Sequence, residues 1–224
     1  IWYTPVSGIW QTVWLEPVPL ARRLAELRLT PDLDQRRLKV EALIDSAIDD
    51  DTYGVRVTAS AEGRRVATTI MRVNRAGYLE LENPRRWTPD TPFLYELRAE
   101  LVRLKPPAAF APVKGKRPPV PRFGAKERDA FAQAEVTGEA LDVVTSYFAM
   151  RKIAIGDGPV AGQPAIQLNG RPIFQHGTLD QGWWPDGLLT PPGDAAIIWE
   201  LQYLKQAGFN MLRKHIKIEP RRYY

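Results

Sequence analysis

The sequence predicts a mainly β chain: an immunoglobulin-like β-sandwich followed by one βαβ unit. Three observations carry this. Seven period-two apolar runs separated by turn signals lie between residues 24 and 155. Asn169-Gly170 stands between two apolar runs, a strong hairpin signal because both turn residues must accept positive φ. Beyond it, apolar residues at helical spacing lie between two short apolar segments.

The elements follow in order. Residues 10–16 read as a strand after the turn Pro5-Val6-Ser7-Gly8, with Trp10, Thr12, Trp14 and Glu16 on one face. Residues 24–30 and 38–44 alternate, the second with Leu38, Val40, Ala42 and Ile44 inward. Val55, Val57, Ala59 and Ala61 form the next run, ended by Glu62-Gly63. Runs at 66–73, 78–81 and 94–104 follow, the last presenting Tyr95, Leu97, Ala99 and Leu101 on one face. Residues 140–155 read as one long final strand, and Trp87 in a Pro-rich turn is expected to cap the core.

The βαβ unit starts after the hairpin. Ile173-Phe174 opens its first strand, and Pro191-Pro192-Gly193 stops structure before Asp194, a natural N-cap. Ile197, Ile198, Leu201, Leu204 and Ala207 fit a helix, Gly208 a left-handed C-terminus, and residues 209–216 a second strand. Two strands joined this way are expected to be parallel, with function at their carboxyl ends. Those ends are expected to hold His176, Asp180, Trp183 and Trp184 after the first strand, and Arg213, Lys214 and His215 at the second.

Composition narrows the classes. The chain has 224 residues, 44% hydrophobic, with no cysteine and 2 histidines, so no disulfide framework or thiolate metal site is expected. No apolar run is long enough for a membrane span, and no nucleic-acid partner is expected. The formal net charge is +5, of which residues 105–128 carry +6 among six prolines. The excess therefore belongs to an extended Pro-rich insertion, placed at 105–138, rather than to a folded basic face. Asp45, Asp49, Asp50 and Asp51 lack the spacing of a calcium loop and read as a solvated turn. Gly156, Gly158 and Gly162 have no helix opening behind them, which rejects a dinucleotide loop. The first residue is Ile1 rather than Met, and the pattern at both ends reads as a piece of a longer protein.

Five segments resemble one family. They are YTPVSGIWQTVWLEPV, NPRRWTPDTPFLYELRAEL, LNGRPIFQHG, LKQAGFN and MLRKH, and they occur in that order. The chain resembles glycoside hydrolase family 2, the group of β-galactosidases, β-glucuronidases and β-mannosidases. The resemblance implies three pieces. Residues 1–19 would be the last strand of a truncated jelly-roll sugar-binding domain, residues 20–155 the sandwich that acts as spacer, and residues 156–224 the start of an incomplete (β/α)8 TIM barrel. It also implies a retaining glycosidase acting on a carbohydrate substrate without cofactor or metal. Such enzymes use two carboxyl groups about 5–5.5 Å apart. In the family both are glutamates on later barrel strands. Neither Glu200 nor Glu219 matches those positions, so no catalytic residue is expected in this chain, which by itself should be inactive.

What remains is pocket support. Arg213 matches an arginine near the family's nucleophile, where its fixed charge would keep a carboxylate ionised. A structural ion pair is the alternative. His215 lies two residues beyond it, where the β-galactosidase pattern has its histidine three beyond. Asp180 reads as a sugar clamp or a loop cap, Trp183 and Trp184 as stacking surfaces or core, and His176 as a supporting residue. A non-catalytic carbohydrate-binding scaffold and a basic interaction module are the competing readings.

Overall fold

The computed structural model describes residues 4–45, 52–105, 132 and 134–224. The expected Pro-rich insertion and Asp49, Asp50 and Asp51 lie largely outside them. The chain divides into two compact units, residues 17–172 and residues 1–16 with 173–224.

The larger unit is a two-sheet sandwich. One sheet runs β1 (Leu24–Asp32), β2 (Arg37–Ile44), β5 (Ala76–Glu80), all antiparallel. The other runs β4 (Arg64–Arg72), β3 (Tyr53–Ala61), β6 (Tyr95–Leu104), β7 (Val136–Phe148), also antiparallel. Period two puts every second side chain inward. Leu38, Val40, Ala42 and Ile44 from one sheet meet Val55, Val57, Ala59, Leu97, Ala99 and Leu101 from the other in one buried core. Tyr95 stacks on Phe148 with centroids 5.0 Å apart at that core's end. Trp87 is only half-buried, with the Arg151 guanidinium 4.6 Å from its ring centroid.

The expected long strand at 140–155 is two strands. β7 ends at Phe148, Met150 turns into the core, and β8 (Ile153–Asp157) joins a separate sheet with β9 (Pro164–Leu168) and β10 (Arg171–Pro172). The charged pair Arg151-Lys152 separates β7 from β8, and the apolar phase shifts there from Phe148 and Met150 to Ile153 and Ile155. The β9–β10 turn is the anticipated hairpin: Asn169 and Gly170 hold φ of 53° and 79°.

In the smaller unit, β11 (Gly177–Asp180) pairs parallel with β12 (Met211–Lys214), and helix α1 (Asp194–Gln206) lies between them in sequence. This is a βαβ unit. Its first strand begins four residues later than Ile173. The helix cap is Gly193 rather than Asp194, which is the first helical residue, and Gly208 is left-handed at φ 93°. Ile197 is the buried residue of the helix, while Ile198, Trp199 and Tyr203 are exposed. The strand expected at 10–16 does not form, because no neighbouring strand pairs with it. Gln11 donates instead to the Ile218 carbonyl and the Trp10 carbonyl accepts from Thr190.

Candidate functional site

The carboxyl ends of β11 and β12 converge on a cluster of charges. Asp180 and Lys214 are register partners and therefore share a face. Lys214 Nζ donates to Asp180 Oδ2 at 2.8 Å and to Glu219 Oε1 at 2.6 Å. Tyr223 donates its hydroxyl to the same Asp180 oxygen at 3.1 Å, and the Gly182 amide reaches Asp180 Oδ1 at 2.7 Å. Lys217 closes the set, 3.1 Å from Glu219 Oε1 and bonded to the Gly182 carbonyl at 2.8 Å. Ile197 and Glu200 of α1 line the small space beside them. Charges removed from water this way persist only when each has opposite or polar partners.

The electrostatics follow from this pairing. Burial alone would raise the Asp180 carboxyl, but the bonds from Lys214 and Gly182 outweigh it and hold the group below the usual range. Burial opposes the Lys214 charge, yet Asp180 and Glu219 prevail and raise it. Burial, then the Asp180 charge, pushes the Tyr223 hydroxyl far up and raises the Glu200 carboxyl.

How the chain enters this cluster depends on two backbone positions. Ile216, just past β12, holds φ of 59°, a left-handed conformation that is an outlier for a β-branched residue. That reversal turns Lys217 and Glu219 inward, 7% and 6% exposed, while Ile216 and Ile218 face out at 59% and 73%. Gly182, at φ 68°, passes so close that a Cβ there would sit 2.5 Å from Lys217 Cδ and 2.6 Å from Glu219 Oε1.

The expected site residues divide by place. Asp180 is in the cluster, with both carboxylate oxygens engaged. Trp183 and Trp184 line the same small space from the loop after β11, where Trp184 and Leu188 exchange backbone bonds. His215 donates its amide to the Asp180 carbonyl and sets Nδ1 3.4 Å from Gln181 Nε2. Arg213 pairs in register with Leu179, so it stands on the other face of the two strands, exposed. His176 stands at the amino end of β11, not the carboxyl end, because the strand begins only at Gly177. There its amide donates to Asn210 Oδ1, its carbonyl accepts from the Asn210 amide, and its ring tilts against Phe209 with centroids 5.0 Å apart. Tyr223 and Lys217 were not legible as site residues. The available signal was the charged pair Lys217 and Glu219 alternating with Ile216 and Ile218, which normally marks the charges as the solvated side. Among the described residues no group of acidic or histidine side chains could hold a metal ion.

Residues 22–105 match the family model of glycosyl hydrolases family 2. No curated protein matches the chain. Among solved structures, β-glucuronidase from Ruminococcus gnavus in complex with D-glucuronic acid superposes with TM-score 0.62 at 16% identity, covering 91% of this chain and 28% of that one. Its complex with N1-substituted uronic isofagomine gives the same values. The apo enzyme gives TM-score 0.61 at 16% identity, covering 91% of this chain and 27% of that one. At this identity the likeness is one of fold, and the chain spans little more than a quarter of those enzymes' length.

Proposed function

We propose that the chain, whose residues 22–105 match the model of glycosyl hydrolases family 2, is part of a retaining glycoside hydrolase acting on O-glycosidic bonds. The sandwich serves as an immunoglobulin-like spacer, and the βαβ unit opens a (β/α)8 catalytic barrel. The observation that carries this reading is the face on which Arg213 stands. Helix α1 borders the Asp180 and Lys214 side of the strand pair, leaving Leu179 and Arg213 on the uncovered side. In such a barrel the helices lie outside, so the uncovered face is the lumen, and substrate binds where the strands end.

On this reading Arg213 faces the sugar and holds a downstream glutamate ionised through its fixed charge. Asp180 is a positioning residue: with both oxygens engaged, it fixes the loop that carries Trp183 and Trp184. Those rings offer a stacking surface for a pyranose, and His215 sits beside the same loop. The uronic sugars bound by the Ruminococcus gnavus enzyme support a carbohydrate substrate. Both catalytic glutamates would come from other parts of a longer product, so this chain alone supplies the first wall of the pocket and hydrolyses nothing.

The test is to assay the full gene product and the 224-residue chain on nitrophenyl β-glucuronide, β-galactoside and β-mannoside, following the product anomer by NMR. The full product is expected to turn over one of them with retention, and the chain none. Arg213→Ala in the full product is expected to lower kcat by roughly a hundredfold or more. Inversion, no turnover on any substrate, or an unimpaired Arg213→Ala enzyme would overturn the reading.

A further inference from the structure

The larger unit has its own cleft, which shares no lining residue with the cluster at the strand ends. It measures about 690 Å³ and is lined by Arg36, Arg86, Lys152, Asn83, Asn169 and Asp34 among others. That size suits a sugar rather than an ion alone. We propose that this cleft is an accessory site for an acidic sugar, binding its carboxylate through Arg36 and Arg86 and its hydroxyls through neighbouring polar groups. The inference does not rest on the catalytic reading.

Three loops build the cleft, and hydrogen bonds lock them together. The Leu81 amide donates to the Arg36 carbonyl, tying the β1–β2 turn to the end of β5. Asn169 donates its side-chain amide to the Trp87 carbonyl and accepts from the Lys152 amide, tying the β9–β10 turn to the segment after β5. Lys152 is spent on Asp34. Arg36 and Arg86, by contrast, make no ion pair among the described residues. The lining therefore holds a net excess of positive charge with two unpaired guanidiniums on a fixed frame.

The backbone bears on this as well. Arg36, Asn83 and Asn169 hold φ of 51°, 51° and 53° around the cleft. Asparagine accepts this conformation readily; arginine does not, and glycine would suit position 36 better. An arginine kept at a left-handed position, without an ion pair among the described residues and lining the same cleft as a second arginine, fits an oxyanion role, since a guanidinium fork matches a carboxylate in two-point geometry.

The probes are D-glucuronate and D-glucose, which differ only in the carboxylate, each titrated into the ¹⁵N-labelled chain at constant ionic strength. D-glucuronate is expected to shift Arg36, Arg86 and Asn169 amides saturably, and D-glucose not. The Arg36→Gly, Arg86→Gln double variant keeps the left-handed turn. It is expected to weaken D-glucuronate binding at least about tenfold with an unchanged melting temperature. Acetate separates the sources of the carboxylate: weaker binding than D-glucuronate is expected, because it lacks hydroxyls. Equal shifts from sodium chloride, no saturation, binding of acetate as tight as D-glucuronate, or unchanged affinity in the double variant would overturn the proposal. Shifts confined to Asp180 and Lys214 would likewise overturn it while leaving the catalytic reading standing.

Discussion

Asp180 and Lys214 face each other across the parallel strands β11 and β12, and their side chains meet at 2.8 Å. The pair is largely shielded from water, at 14% and 13% side-chain exposure, and Lys214 also bridges to Glu219, which is 4% exposed. One ammonium therefore bridges two carboxylates, and Lys217 supplies the second positive charge. This contact welds the two strands to the segment at 217–224.

Removing that ammonium should be costly. Lys214→Met keeps the stem but leaves Asp180 uncompensated and Glu219 dependent on Lys217 alone. Breaking a buried pair from one side costs about 3–5 kcal/mol. Urea denaturation followed by tryptophan fluorescence should show a loss of that size, with α1 amides losing protection in hydrogen exchange. A variant within about 1 kcal/mol of the parent would show that the pair adds little.

The same groups set a pH window. Asp180 is held low: its contribution is present above roughly pH 4, the unfolded value, and is lost as pH falls through the folded one. Lys214 is raised: its contribution is present below about pH 10.4 and is lost as pH rises through its folded value. Tyr223, raised chiefly by burial, subtracts in the same direction from about pH 10 upward. The urea midpoint should therefore plateau near neutrality and fall on both sides. Asp180→Asn should flatten the acid limb; an acid limb identical to the parent's would exclude Asp180 as its source.

The sandwich was legible because its inward residues are apolar at strict period two, as Leu38, Val40, Ala42 and Ile44 illustrate. The hairpin at Asn169-Gly170 was legible from local chemistry alone. Two things were not. The break between β7 and β8 is marked only by Arg151-Lys152 and a change of apolar phase, from Phe148 and Met150 to Ile153 and Ile155, which a reading of 140–155 as one run passes over. The sequence 216–219 alternates apolar and charged residues, and period-two reasoning turns the isoleucines inward, yet Lys217 and Glu219 are the buried ones. Their partners Lys214 and Gly182 lie up to 35 positions away in sequence, and only the parallel pairing brings them together. Arg213 and Asp180 share a neighbourhood in the sequence reading; register puts them on opposite faces.

The left-handed turn at Ile216 offers a direct test of backbone strain. A bulky residue held there costs of order 1–3 kcal/mol, and the exposed Ile216 side chain recovers little of it. Ile216→Gly removes the clash between Cβ and the backbone, at the cost of some unfolded-state entropy. The expected net gain is about 1 kcal/mol in urea denaturation, while Ile216→Val should gain nothing. Equal stability of the two variants would mean that the turn is unstrained.

Gly182 permits a test that separates backbone from packing. Alanine at Gly170 or at Gly182 meets the same penalty of positive φ, 79° and 68°, worth about 1 kcal/mol. At Gly170 a Cβ would meet nothing within 4 Å, so Gly170→Ala should cost that much and no more. At Gly182 the methyl would also press on Lys217 and Glu219, whose ends are fixed by the Gly182 carbonyl and by Lys214. Moving them breaks buried charge contacts, so Gly182→Ala should lose at least about 3 kcal/mol. The difference between the two variants reports the cluster with the backbone effect cancelled. Equal losses would mean that Lys217 and Glu219 swing aside at no cost, and that the cluster holds nothing in place.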